Sequence, residues 1–333
     1  MVCAERVCDR RSLFVKQVRR WGDLNTDAVL DTACQVFSIP SIDGCIGYRI
    51  ELNCAIVFGE PLCDSADKGP LVDAFCAFCR SKGWMWSFVI VPQEFAKAVS
   101  KAKSSVLIQF GNRLILDPSQ NPTELTGPKG VLIRKKVKHA KHAGVTIEEY
   151  VDHDPAFEQA IEKIADEWLN SRRGPQVYIA HHDFFNDREG KRCFFAQKEG
   201  KVVAFLMLNQ IEASGGWLLN NLILTLDAPS GTSELLIVTV LNLLAEEGCQ
   251  KVVVGPVTST ELSSISGLGP VSCWVIRNVF KLALRLFRLD GQRVFWEKFP
   301  VRQEPTCLLF EKLSYRTVRA LFRALNVEPS KSI

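Results

Sequence analysis

Absences narrow the reading of this chain first. No stretch reaches the roughly 18 uninterrupted apolar residues that a spanning helix needs. The best run, Leu235–Ala245 (LLIVTVLNLLA), is shorter and holds Asn242. The opening MVCAERVCDRR carries charges where a signal peptide requires an apolar core. The chain therefore reads as soluble and cytoplasmic. It has no G-x-S-x-G nucleophile elbow, no P-loop and no dinucleotide Gly fingerprint. A Gly period is missing too, which excludes collagen, and 20 Phe with 7 Trp demand burial, which excludes full disorder. Twelve Cys are spread thinly, without the density of a disulfide scaffold, so reduced thiols are expected.

Metal chemistry finds little support. Cys76-x-x-Cys79 is the only close cysteine pair, and neither a second pair nor two suitably spaced His stands near it. On a helix the two thiols share an apolar face with Phe75 and Phe78, the pattern of a core. His181-His182-Asp183 places adjacent residues on opposite faces of a strand, and no second ligand cluster accompanies it. A plain loop accounts for that run, and no metal is expected.

At 333 residues the chain is long enough for two cores. Residues 1–126 hold 14 basic and 14 acidic side chains, so the whole net charge of +4 lies in the remainder. An anionic partner is expected to dock there. Hydrophobic spacing predicts a helix over 12–38, a strand pair at 47–52 and 54–58, and a helix over 71–82. A strand at 84–91, a helix at 96–104 and a strand at 106–116 follow. The Pro- and Gly-rich stretch Asp117–Gly130 marks the boundary, giving lobes 1–126 and 127–333. Beyond it come a basic helix (131–143), a strand (145–150), a helix (155–170) and strands at 192–197, 202–210 and 217–226. A helix over 233–247 and a strand at 251–255 follow. The last elements are a basic helix (273–288), a strand pair around 294–296 and 306–312, and a helix at 314–325. Each half runs strand pair, loop, long helix ending in Gly, strand. That order resembles an N-acetyltransferase-like (GNAT) fold, so the expected class is mixed α/β (α+β), a tandem GNAT-like arrangement of two lobes with mixed sheets flanked by helices.

Acetyl-CoA-dependent members of that fold carry an Arg/Gln-x-x-Gly-x-Gly/Ala loop whose amides hold a pyrophosphate at a helix N-terminus. This chain has Leu226-Asp227-Ala228-Pro229-Ser230-Gly231-Thr232-Ser233-Glu234 at that place. Pro229 lacks a donor, and Asp227 and Glu234 repel an anion. Coenzyme A is not the expected donor, and no cofactor is expected. Two basic segments remain. In residues 134–142, Arg134, Lys138, Lys141 and His142 line one side of a helix. In residues 273–288, Arg277, Lys281, Arg285 and Arg288 form a second stripe, with Trp274, Val275, Val279, Leu282 and Leu286 as apolar surface. Either stripe is compatible with a solvated face. Together they favour an anionic surface, a phosphodiester backbone or an acidic membrane.

Residues 45–312 resemble the soluble aminoacyltransferase domain of phosphatidylglycerol lysyltransferases, the multiple peptide resistance factor family. Phe58-Gly59-Glu60-Pro61 is similar to the family's Gly-Asp-Pro turn. Gly83-Trp84, Leu107–Gly111 with Leu116-Asp117, Leu132-Ile133-Arg134 with Lys141–Gly144, and Glu167-Trp168-Leu169 follow in the family's order. Gly200–Phe205 resembles a central-strand pattern, Pro229-x-Gly231-x-x-Glu234-x-Leu236 resembles Pro-x-Gly-x-x-Asp-x-Leu, and Gly255-Pro256 resembles a Gly-x-x-Pro stretch. Glu297-Lys298-Phe299 and Glu304-Pro305 fall in register with Lys-Phe-x-Pro-x-Trp-Glu-Pro. Departures are specific as well. Asn221-Leu222-Ile223-Leu224 replaces Asp-Leu-Met-Arg, Gln303 replaces the Trp, and Thr306-Cys307 replaces Arg-Tyr.

The resemblance implies transfer of an aminoacyl group from aminoacyl-tRNA to a lipid or another hydroxyl or amine acceptor. Because the ester is already activated, such an enzyme mainly positions its substrates and stabilises an oxyanion. By residue-level carry-over Lys298 is the electrostatic stabiliser, and Glu234 binds the aminoacyl ammonium or accepts a proton. Asn221, Trp168 and Gly255 line the substrate site, with Asn221 favouring a smaller or neutral amino acid over lysine. Arg134, Lys138 and Lys141, with Arg277, Lys281 and Arg285, contact tRNA or another anion, and peripheral contact with an acidic membrane is compatible with the second stripe. Two other readings stand beside this one: an acyl-CoA-dependent N-acyltransferase, and a tandem-GNAT module that binds a partner without turnover.

Overall fold

The strands Gly44–Glu51 (β2) and Cys54–Phe58 (β3) are joined by Leu52 and Asn53, at φ of 50° and 58°. Two consecutive left-handed residues make the tight turn whose twist suits a hairpin, and Glu51 pairs directly with Cys54. The computed structural model describes residues 14–23, 26–31, 33–171, 184–185, 188–287 and 291–325. His181–Asp183 and Arg288 lie outside them, as do the side chains of Leu169 and Leu286.

Before the hairpin come helical residues 14–21 (α1), Thr26–Leu30 (α2) and Gln35–Phe37 (β1). After it come Leu62–Cys63 (β4), Lys68–Ser81 (α3), Met85–Pro92 (β5), Gln93–Lys103 (α4) and Val106–Leu116 (β6). The second half runs Gly127–His142 (α5), Val145–Tyr150 (β7), Pro155–Ser171 (α6), Lys191–Lys198 (β8), Lys201–Ile211 (β9) and Gly216–Leu224 (β10). It continues through Thr232–Glu246 (α7), Val252–Thr258 (β11), Ile265–Ser266 (β12), Pro270–Phe287 (α8), Gly291–Trp296 (α9), Val301–Phe310 (β13) and Tyr315–Ala324 (α10). The mixed α+β class expected from the sequence is the one observed, but the strands of the two halves join in one sheet rather than forming one sheet each.

Two expectations of local structure also change. Residues 12–38 are not one helix: α1 and α2 are short, and the chain is already a strand at Gln35. Val294–Trp296 belongs to α9, not to a strand. A three-residue apolar run has no period to distinguish the two states. Here Trp296 and Phe299 are buried in the same core as Leu235 and Val254.

One sheet spans both halves, in the order β1-β2-β3-β5-β13-β6-β11-β10-β9-β8-β7. Its centre is an exchange. The C-terminal β13 inserts between β5 and β6, antiparallel to both, while β6 reaches across to pair β11. Alternation along the strands separates two faces. Leu219, Val252 and Val254 point to the core under α5, α7 and α9, whereas Leu218 and Val253 point to the core under α1, α8 and α10. Helix α6 covers Phe205, Met207 and Ile223 on that second face. In the first half α3 and α4 bury Phe75, Phe88 and Phe95. Cys76 and Cys79 lie in this core, and burial pushes their thiols up to about 11 and about 12.

An inner ion pair ties the first half to the C-terminus. Arg49 on β2 meets Asp31 at 3.1 Å, with both side chains almost fully buried, and donates to the Ala324 carbonyl of α10 at 2.9 Å. Replacing Arg49 with Met leaves the Asp31 carboxylate buried without its cation. Urea unfolding is expected to show about 3–5 kcal/mol of lost stability. The double variant Arg49→Met with Asp31→Leu is expected to recover most of it.

Candidate active site at a fork between two strands

Strands β10 and β11 pair in parallel only from Trp217↔Val252 to Leu219↔Val254. At that height both become irregular: β10 shifts register on β9 between Leu219 and Asn221, and β11 shifts on β6 between Val254 and Pro256. Residues 220–224 and 255–258 therefore form the two arms of a fork. Gly255 sits at its crotch, where a Cβ would meet nothing within 4 Å.

Helix α7 starts beside one arm. Its N-cap Gly231 has φ of 94°, and a Cβ there would lie 2.1 Å from the Lys136 carbonyl oxygen of α5. Only glycine permits that approach. The Lys136 ammonium also donates to the Ser230 hydroxyl at 2.7 Å. The amides of Ala228 and Thr232 already donate within the turn, to Thr225 and Pro229. The acids expected to repel an anion here are each balanced by a lysine. Asp227 meets Lys201 at 2.8 Å, and Glu234 meets Lys298 at 2.6 Å.

The second of these pairs unites the two residues singled out for catalysis, which are 64 positions apart in the chain. Glu234, in the first turn of α7, has 6% of its side chain exposed, and Lys298, just past α9, has 15%. The other oxygen of Glu234 accepts from the Ser233 hydroxyl at 2.8 Å. Burial works to raise the Glu234 carboxyl, but the Lys298 hydrogen bond and charge, with Ser233, outweigh it and hold it below the usual range. The Lys298 ammonium also lies over the Phe295 ring, 3.8 Å from its centroid. Ser233 and Phe295 were not foreseen. Phe295 was hidden by reading its segment as a strand, although an aromatic three residues before Lys298 is the signal that a helical turn would bring them together.

Asn221 and Trp168 occupy the other face. Asn221 pairs across from Met207 and shares its side of the strand with Ile223, in the core that Trp168 of α6 joins. The structure thus brings Lys298 and Glu234 into contact, whereas Asn221 and Trp168 share only the opposite face of the sheet. A shallow cleft beside α9 is bounded by Asn112, Arg293, Glu297 and Gln303. Gln303 accepts there from the Asn112 amide at 2.9 Å, and Arg293 pairs with Glu297.

The basic segments behave differently from one another. On α5, Gly130, Ile133, Val137 and Ala140 are buried, while Arg134, Lys138, Lys141 and His142 are exposed. Lys138 and Lys141 make no ion pair among the described residues, whereas Arg134 bonds the Thr123 and Leu125 carbonyls at 2.7 and 2.9 Å and fastens the loop before α5. On α8, Arg277 donates to the Leu262 carbonyl and Lys281 pairs with Glu261 at 2.9 Å. Arg285 is exposed. Among the described residues no group of three or more His, Cys, Asp or Glu is placed to hold a metal.

A family model for the phosphatidylglycerol lysyltransferase C-terminal domain matches residues 24–310. The chain belongs to this family. A bifunctional lysylphosphatidylglycerol biosynthesis protein, LysX of Mycobacterium marinum, is 30% identical over 60% of the chain. The chain spans only 18% of that relative's length. Two solved structures share the family fold. The C-terminal domain of a protein described as a lysylphosphatidylglycerol synthetase from Agrobacterium fabrum aligns with a TM-score of 0.77 at 21% identity, covering 95% of this chain and 96% of that one. L-PGS from Bacillus licheniformis aligns with a TM-score of 0.78 at 16% identity, covering 96% of each.

The Lys298–Glu234 pair has a pH signature. A carboxyl held low when folded contributes stability that is complete above its unfolded value near 4.5 and is lost as pH falls through the lower folded value. Urea unfolding of the wild type and Glu234→Gln is expected to differ by about 3–5 kcal/mol at neutral pH. The gap should shrink steadily below about pH 4.5.

Proposed function

We propose that this chain moves an aminoacyl group from the 3′ ester of an aminoacyl-tRNA to a hydroxyl of phosphatidylglycerol or a related lipid. The observation that carries the reading is the pairing of Lys298 with Glu234 at the mouth of α7, in a chain matched to this transferase family over residues 24–310. In the reaction the lipid hydroxyl oxygen attacks the ester carbonyl carbon. The bond from that carbon to the ribose 3′ oxygen breaks, and the proton leaving the lipid hydroxyl ends on the ribose oxygen.

Lys298 supplies positive charge to the tetrahedral oxyanion. An ammonium has three donors. One is taken by Glu234 and the charge is oriented by the Phe295 ring, which leaves donors for an incoming oxygen. Glu234, kept ionised, is a weak base and a strong anchor, so its role is to hold Lys298 in place and to attract the ammonium of the amino acid. Asn221 forms a hydrogen-bonding wall on the amino-acid side of the fork, with Trp168 on the same face of the sheet. A neutral amide at 221, where the related motif has Asp, favours a small or neutral amino acid over lysine. The exposed, acid-free face of α5 (Arg134, Lys138, Lys141) binds the tRNA acceptor stem through its phosphates.

Purified protein, a pool of radiolabelled aminoacyl-tRNAs and phosphatidylglycerol vesicles test the reading. Label should enter lipid with the wild type and fall by about 100-fold or more with Lys298→Ala, the cost of losing one oxyanion donor. No labelled lipid from the wild type would overturn it. Lys138→Ala with Lys141→Ala should weaken tRNA binding for every isoacceptor and lower the salt slope by about one per lysine. Asn221→Asp should shift the label toward lysine.

A further inference from the structure

Helix α8 turns its apolar residues outward. Its 18 residues contain no acidic side chain. Ile276 and Phe280 face the second-face core, and Arg277 tethers the helix to the Leu262 carbonyl. Val271, Trp274, Val275, Val279 and Leu282 are 45–76% exposed. Five of the twelve large hydrophobic side chains exposed among the described residues therefore stand on one helix. At 100° per residue these five share one continuous arc with Lys281 and Arg285, the two cations lying toward one margin beside Trp274. A globular helix buries its apolar stripe and exposes its charges. This one is held by its narrower side and exposes a wide apolar face.

We infer that α8 is a docking helix that lies in the headgroup layer of an anionic phospholipid bilayer. The inference rests on the lipid-acceptor reading and adds the surface by which the lipid is approached. An exposed apolar patch of this kind marks an interaction surface. Charge complementarity selects the occupant: the arc pairs apolar side chains with cations and lacks an acid, as membrane-surface helices do. Lys281 reaches the bilayer by exchanging its exposed partner Glu261 for lipid phosphate, and Trp274 suits the boundary between chains and headgroups. Helix α8 lies on the face that carries Asn221 and Trp168, opposite α5. Docking there leaves the α5 face open to solvent.

Cosedimentation with phosphatidylcholine vesicles, with and without phosphatidylglycerol, tests this with the wild type and Val275→Glu with Leu282→Glu. Both positions are exposed, so circular dichroism and thermal melting should match the wild type. Expected is wild-type binding to the phosphatidylglycerol vesicles, reduced at least about tenfold in the double variant. Binding of tRNA, and transfer to short-chain phosphatidylglycerol free in solution, should stay unchanged. Equal vesicle binding by the two proteins, or no binding by the wild type, overturns the inference. So does concentration-dependent dimerisation of the wild type that the double variant abolishes, because a second copy would then cover the face. Vesicle binding that is lost in the variant, without transfer to any lipid by the wild type, upholds the docking helix and sinks the transferase reading alone.

Discussion

The pairing of β13 between β5 and β6 is the constraint on which the rest of the molecule depends. Its register, from Val301↔Leu116 to Phe310↔Val106, draws the last part of the chain back among the strands of the first half. The same register sets down the residues just before it. Phe299 and Trp296 enter the core under α5 and α7, and Lys298, between them, is delivered to the first turn of α7. A central strand satisfies hydrogen bonds on both edges, so this placement cannot drift without breaking two ladders. The position of one ammonium is thereby fixed by the sheet.

Burial gives that ammonium its character. Glu234 is tied by two partners and stays ionised, and an ion pair so enclosed interacts in a medium far less polarisable than water. Its worth lies in orientation more than in net stability, since the desolvation of both groups offsets much of their attraction. Around the pair the sheet separates two surfaces of different chemistry. On one face α5 shows cations without acids. On the other, α8 shows apolar side chains edged with cations. The fork between β10 and β11 is where the backbone ceases to divide these faces.

Much of this was legible in the sequence, for identifiable reasons. β6 and β7 have the bounds that their apolar pattern and flanking turns imply, and α7 begins beside its Gly signal, whereas α5 begins at Gly127, inside the stretch read as a loop, because Pro128 suits the first turn of a helix. Lys298 and Glu234 were each singled out by a motif, but no local pattern links residues so far apart. The apolar residues of α8 show the opposite limit. Spacing places them on one stripe, yet a stripe reads the same whether the core or the solvent lies against it. Phe295 was missed because three apolar residues carry no period.

The sequence by itself determined the local elements, the surplus of positive charge in the second half and the family motifs, because these depend on neighbours within a few turns of chain. Only the tertiary structure decided the strand exchange, the closure of Lys298 on Glu234 and the direction in which α8 faces. Each of those is a choice between partners distant in sequence, and it is settled by which strand edge and which core remain open when the chain comes back upon itself.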